Sequence, residues 1–175
     1  MKTKNENIVH VTEEYDLPRY EMRVRDDCSD ECEMAIEDIK YCCKIWVKSR
    51  DYSNLTNVEG DFDDLARFQS AIGEEYEAFV LGAYIHSGTS FSISKTGDHR
   101  CRFDSGNLGF IGVPKGMNPD KIAEELTAAW NGEYEGYDIY DNLTDDYVDS
   151  ICDYDYKNLK KWKEEARKEY GVEIK

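Results

Sequence analysis

Residues 133–156 hold nine carboxylates, six tyrosines and no lysine or arginine. The acids are Glu133, Glu135, Asp138, Asp141, Asp145, Asp146, Asp149, Asp153 and Asp155. Spaced carboxylates can stand in for phosphates, which a DNA duplex presents every ~1.7 Å of its axis counting both strands. Tyrosines add rigid contact area at low entropy cost, as interface cores favour. The segment therefore suits a decoy for a positively charged groove, with Tyr137 and Tyr140 joining the nine acids as expected contact residues. A plainer account fits the same residues: a solvated surface with tyrosines packed inward between the acids. A second acidic cluster over 26–38 and the lack of any local counter-charge weigh against that account, because ordinary surfaces intersperse both signs. The basic stretch that follows (Lys157, Lys160, Lys161, Lys163, Arg167, Lys168) offers the acids another use, neutralisation within the fold. If the segment has no counter-charge, reversing Asp138, Asp141, Asp145, Asp146 or Asp149 is expected to leave stability unchanged or raised.

Other residues invite catalysis or metal binding. His86-Ser87, Asp104 and Ser105 could supply a Ser-His-Asp set, but no nucleophile elbow surrounds them. Two polar turns, His86-Ser87-Gly88 and Asp104-Ser105-Gly106, explain the same residues, and no enzyme is expected. Cys28-x3-Cys32 with His99-x-Cys101 could form a zinc site, yet no second cysteine or histidine pair at known spacing supports it. Reduced cysteine is among the most buried residue types, so these thiols and Cys42-Cys43 read as core. No calcium loop, G-x-x-x-x-G-K-[ST] or G-x-G-x-x-G is present, so no cofactor or metal is expected.

The bulk numbers narrow the partner. A chain of 175 residues fits one domain, and 13 Tyr, 6 Phe and 3 Trp supply apolar surface that disordered chains lack. Acidic residues number 38 against 22 basic, a net charge of −16. Solubility alone asks for a magnitude of roughly 2 to 8. Such an excess lowers affinity for nucleic acids and anionic membranes and favours a basic partner. The chain has no run of about 20 apolar residues and no apolar stretch behind Lys2 and Lys4, so neither a membrane span nor a secretory leader is expected. Six cysteines in a chain without a leader read as reduced thiols in a cytoplasm.

The elements that would position these groups follow from periodicity. Residues 1–7 are expected to be flexible. Residues 8–11 and 20–25 read as short strands. An acidic start at 26–31 suits a helix N-terminus, and Met34, Ile36, Ile39, Cys43 and Trp46 or Val47 place a helix over 30–47. Residues 42–47 read equally as a strand. Residues 50–60 look like a loop, and Phe62, Leu65, Phe68 and Ile72 place a helix over 60–72, stopped by Gly73. Strands follow at 77–85, 89–94 and 108–113. Asn118-Pro119 opens a helix over 119–130, and the basic stretch forms a last one over 157–170. The expected fold is α+β, one domain over 1–175 with a central antiparallel sheet and flanking helices.

The block 84–94, Tyr-Ile-His-Ser-Gly-Thr-Ser-Phe-Ser-Ile-Ser, and the block 101–113, Cys-Arg-Phe-Asp-Ser-Gly-Asn-Leu-Gly-Phe-Ile-Gly-Val, resemble small accessory proteins of bacteriophages and conjugative elements. The matching residues are His86, Ser87, Gly88, Phe103, Asp104, Ser105, Gly106, Gly109, Phe110 and Ile111. Ile85 stands where members of that family carry Asp. The resemblance covers about 35 residues and implies a mobile-element context, in the cytoplasm of a bacterial host, without established enzymatic activity. Together with the charge, it leads to the expectation of an anti-CRISPR or anti-restriction inhibitor that binds a defence nuclease or its guide complex and blocks nucleic-acid access. The alternatives are an immunity or antitoxin-like protein neutralising a basic toxin, or a small hydrolase using His86 and Ser105 or a cysteine.

Overall fold

A computed structural model describes residues 18–97 and 104–172. The expected strand at 8–11, the N-terminal residues 1–7, and His99, Cys101 and Phe103 lie outside the described residues. The chain folds as α+β, with antiparallel strands and helices packed on them.

Strand β1 (Tyr20–Arg25) is followed by helix α1 (Ser29–Cys42). Its buried residues Cys32, Ala35 and Ile39 recur at three and four positions, one helical face. Met34 was expected on that face but is 64% exposed. The expected helix to residue 47 ends at Cys42, and Lys44–Val47 is strand β2, the alternative reading of those residues. Ile45 and Val47 alternate with Trp46, which sends the two β-branched residues into the core and the indole to the opposite face. Instead of a loop, residues 50–55 form a 3-10 helix that buries Tyr52 and Leu55.

Helix α2 (Leu65–Ile72) begins later than the expected residue 60, because the Asp64 side chain caps it by accepting the Arg67 N–H at 2.8 Å. Strands β3 (Tyr76–Ile85), β4 (Thr89–Ser94) and β5 (Ser105–Pro114) complete a four-stranded sheet of order β2-β5-β3-β4. Helix α3 (Pro119–Asn131) is capped by Asn118 and stopped by Gly132 in the left-handed region. One face of this sheet, with Ile45, Leu81, Ile111 and Phe91, packs under α3 and α1 through Leu126 and Ile39. The other face takes Phe68 and Ile72 of α2 against Ala78, Trp46 and Phe110. Gly109 has to be glycine, since a Cβ there would lie 2.1 Å from the Trp46 carbonyl oxygen across the β2–β5 pair.

The acidic segment, to which periodicity assigned no element, is a hairpin of β6 (Glu135–Asp141) and β7 (Asp146–Asp153). With β1 it forms a second, three-stranded sheet of order β1-β6-β7, so the strands divide between two antiparallel sheets. Helix α4 (Tyr156–Tyr170) covers one face of it. Ile139, Ala166 and Val172 are buried there, with Tyr20, Met22, Trp162 and Tyr170 packed around them. Cys32 and Ala35 of α1 and Ala129 of α3 meet Tyr134, which joins the second sheet to the first.

Candidate functional site

The hairpin determines what each acid of the segment can do. Strand geometry alternates its side chains between the α4 face and the opposite face. The pairs Glu135↔Asp153, Ile139↔Asp149 and Asp141↔Asp146 put those residues on the α4 face, and Asp138↔Ser150 and Tyr140↔Tyr147 put theirs on the other. A register shift after Ile139 and the tip Asn142–Asp145 end the hairpin, with Asp145 at φ 56°. Aspartate tolerates that left-handed conformation better than most residues.

The segment contains no cation, but β1 beside it carries Arg23 and Arg25, and Arg19 stands just before that strand. Arg25 reaches Asp138 with an Nη2–Oδ1 distance of 2.6 Å and also pairs with Glu31 of α1. The Asp138 hydrogen bond outweighs the burial of Arg25 and holds its guanidinium more firmly protonated than usual. Arg19 Nε lies 3.2 Å from Asp141 Oδ2. Arg23 sits 4.4 Å above the Tyr140 ring. Asp141 is buried, and its side chain accepts the Leu143 N–H at 2.9 Å while its carbonyl accepts the Asp145 N–H. The Leu143 bond and then Arg19 hold its carboxyl below the usual range, against the opposing effect of burial. The expectation of a segment without counter-charge is corrected for Asp138 and Asp141: their partners are about 120 residues away in sequence.

Two more acids build local structure. Asp153 accepts the Asp155 N–H and the Asn158 amide, and Asp155 caps α4 by accepting the Lys157 N–H at 2.8 Å. Asp149 is half-buried and accepts the Ser150 N–H. Glu133, Glu135, Asp145 and Asp146 are exposed. Among the described residues, no ion pair joins these four, or any other acid of the hairpin, to the basic residues of α4. That helix instead places Lys163 Nζ 3.5 Å from the Tyr137 ring centre and pairs Lys161 with its own Glu165. Tyr137 and Tyr140 are thus half-buried under cations of their own chain, while Tyr147 is 56% exposed.

The second acidic cluster lies on α1, where Asp30, Glu33, Glu37 and Asp38 are exposed beside Met34 and Tyr41. Only Lys40, paired with Glu37 at 2.6 Å, relieves it within the helix.

The structure brings His86 and Asp104 together, but at 3.9 Å between Nδ1 and Oδ2 and with the histidine side chain 71% exposed. That is beyond hydrogen-bond length and leaves the imidazole in water. Ser105 is the β5 partner of Tyr84 in the sheet register. Among the cysteines, Cys28, Cys32 and Cys43 are buried as expected, and burial pushes the Cys43 thiol up to about 12. Cys42 is corrected: it faces solvent at the end of α1. Sequence reasoning missed the approach of Cys28 to Cys152, whose donor atoms and a Glu31 oxygen lie within 4.8 Å of one another. Among the described residues no helix is long and apolar enough to cross a membrane. No family model matches this chain, and no curated protein or solved structure does either, so the site rests on its own geometry.

Proposed function

We propose that this protein is a non-enzymatic acidic inhibitor that occupies the basic nucleic-acid groove of a host defence nuclease, a CRISPR effector or restriction enzyme, or its guide complex. The observation that carries the reading is the set of exposed carboxylates Glu133, Glu135, Asp145 and Asp146 without a cation from α4, on a chain of net charge −16. Glu135 pairs with Asp153 at one end of the hairpin and Asp146 stands at the other, so a rise of ~3.3 Å per residue sets the exposed acids at its two ends roughly 20 Å apart. That length matches several phosphates of one strand at ~3.4 Å each. Asp138, Asp141, Asp153 and Asp155 serve mainly to hold the hairpin and α4 in place, which narrows the contact set to the exposed acids and Asp149. Tyr147 adds exposed aromatic area on the opposite face of β7.

The reading is tested by competition. Purified RNA-guided nucleases and restriction endonucleases are mixed with a labelled duplex and increasing amounts of the protein. Displacement of the duplex from one of them, weakening steeply between low and moderate salt, is the expected result, because exposed charge pairs are screened over ~8–10 Å. Binding that is indifferent to salt rejects phosphate mimicry.

A further inference from the structure

The geometry points to a binding site for a thiophilic divalent cation of the zinc class, held by Cys28 Sγ, Cys152 Sγ and a Glu31 carboxylate oxygen. The three donor atoms lie within 4.8 Å of one another. A tetrahedral Zn–S length of ~2.3 Å sets two sulfurs about 3.8 Å apart, so a contraction of at most about 1 Å closes the site. Cys28 stands at the N-terminus of α1, Glu31 in its first turn, and Cys152 on β7 opposite Gly136. A metal here ties α1, which packs on the first sheet, to an edge strand of the second.

Gly136 makes the approach possible. A Cβ on it would lie 2.8 Å from Cys28 Sγ and 2.8 Å from the Arg25 Cβ, so the bare backbone leaves the slot the thiol occupies beside Cys152. Cys28 also lines a cavity of about 590 Å³ between α1 and the end of α3, which supplies an entry path. Cys32 lines it too, but its sulfur is not among the three donors that converge. Three protein donors leave a fourth position for water, the open arrangement zinc accepts.

Arg25 beside the cluster does not oppose the cation. With both thiols protonated, Arg25, Glu31 and Asp138 sum to a charge of −1. A divalent ion that displaces the two thiol protons to solvent leaves that sum unchanged, so metal for protons is an even exchange of charge. Arg25 keeps Asp138 while Glu31 turns one oxygen to the metal.

The test uses the full chain, reduced and stripped by a chelator, with Co²⁺ as the optical probe and Zn²⁺ as competitor. One equivalent of Co²⁺ is expected to give thiolate-to-cobalt charge-transfer absorption and tetrahedral d–d bands, both removed by one equivalent of Zn²⁺. Cys152→Ser abolishes the charge-transfer band of this pair, whereas Cys42→Ser, at the exposed far end of α1, leaves it intact. Should the serine variant fail to fold by circular dichroism, Glu31→Gln, which keeps both thiols, decides. It weakens Zn²⁺ at least as much as losing an outer hydrogen-bond partner does, about 10- to 100-fold. Cobalt bound without a thiolate band, a band that survives Cys152→Ser, or unchanged affinity in Glu31→Gln overturns the assignment. So does a reduced chain that takes up no metal and instead forms a Cys28–Cys152 disulfide in air.

Discussion

Charge reversal at two sets of hairpin acids should separate folding from function. Asp138→Lys removes one of the two carboxylate partners of Arg25 and sets a second cation beside it. The Arg25 and Asp138 side chains are 24% and 14% exposed. Breaking a buried pair costs about 3–5 kcal/mol and losing an exposed one about 0.2–1 kcal/mol, so this pair is worth about 2–3 kcal/mol. In a chain of this length each kcal/mol moves the melting temperature by about 2–4 °C, which gives a drop of about 4–12 °C. Glu135→Lys with Asp146→Lys acts on exposed acids without an ion pair among the described residues. Exposed substitutions usually stay within about 0.5 kcal/mol each, so melting of the double variant should hold to about 4 °C. Duplex competition should nevertheless fall at least about tenfold, the loss of about 1.4 kcal/mol of contact. Both variants are followed by thermal melting and by displacement of a labelled duplex from purified nucleases. An Asp138→Lys protein that melts like wild type refutes the assignment of Asp138 to the fold. A stable Glu135→Lys, Asp146→Lys protein that competes normally refutes the exposed face, and attention passes to the acids of α1.

Four further outcomes are expected. Ile139→Ala, which empties the centre of the β6–α4 contact, should cost about 2–5 kcal/mol by denaturant titration, whereas Leu143→Ala at the exposed tip should be near neutral. Asp141 has its carboxyl held low in the folded chain, so its contribution is present above the ordinary carboxylate range and lost as pH falls through the lowered value; Asp141→Asn should weaken the fold at neutral pH and flatten that acid limb in melting scans. Glu125 behaves oppositely: burial first, then Asp153 and Asp38, push it up, so Glu125→Gln should raise the melting temperature at neutral pH and leave it unchanged below the ordinary glutamate range. His86→Ala and Ser105→Ala are each expected to keep competition within a few-fold of wild type, and a folded variant with abolished function would revive the hydrolase reading.

Much of the fold was legible because its signals are local. Leu126 falls at helical spacing from Ile122 behind an Asn118-Pro119 cap, and the run 77–85 is apolar enough to be an interior strand; both became what their neighbours in sequence dictate. The junction at residues 42–47 was ambiguous for a physical reason. Cys43, Ile45 and Val47 alternate, yet they also continue the spacing of α1, and pairing with β5 decided between the two. The acidity of 133–156 and the lack of cations inside the segment are properties of composition, which folding cannot change. Whether those acids face cations is a matter of register. Pairing β1 with β6 sets Arg25 against Asp138 and Arg19 against Asp141 across more than 110 residues of chain, and bends Cys152 back to Cys28 over Gly136. No periodicity encodes such meetings, since they arise only when β1 pairs with a hairpin more than 100 residues away, and that pairing separates the acids that hold the second sheet together from those left exposed.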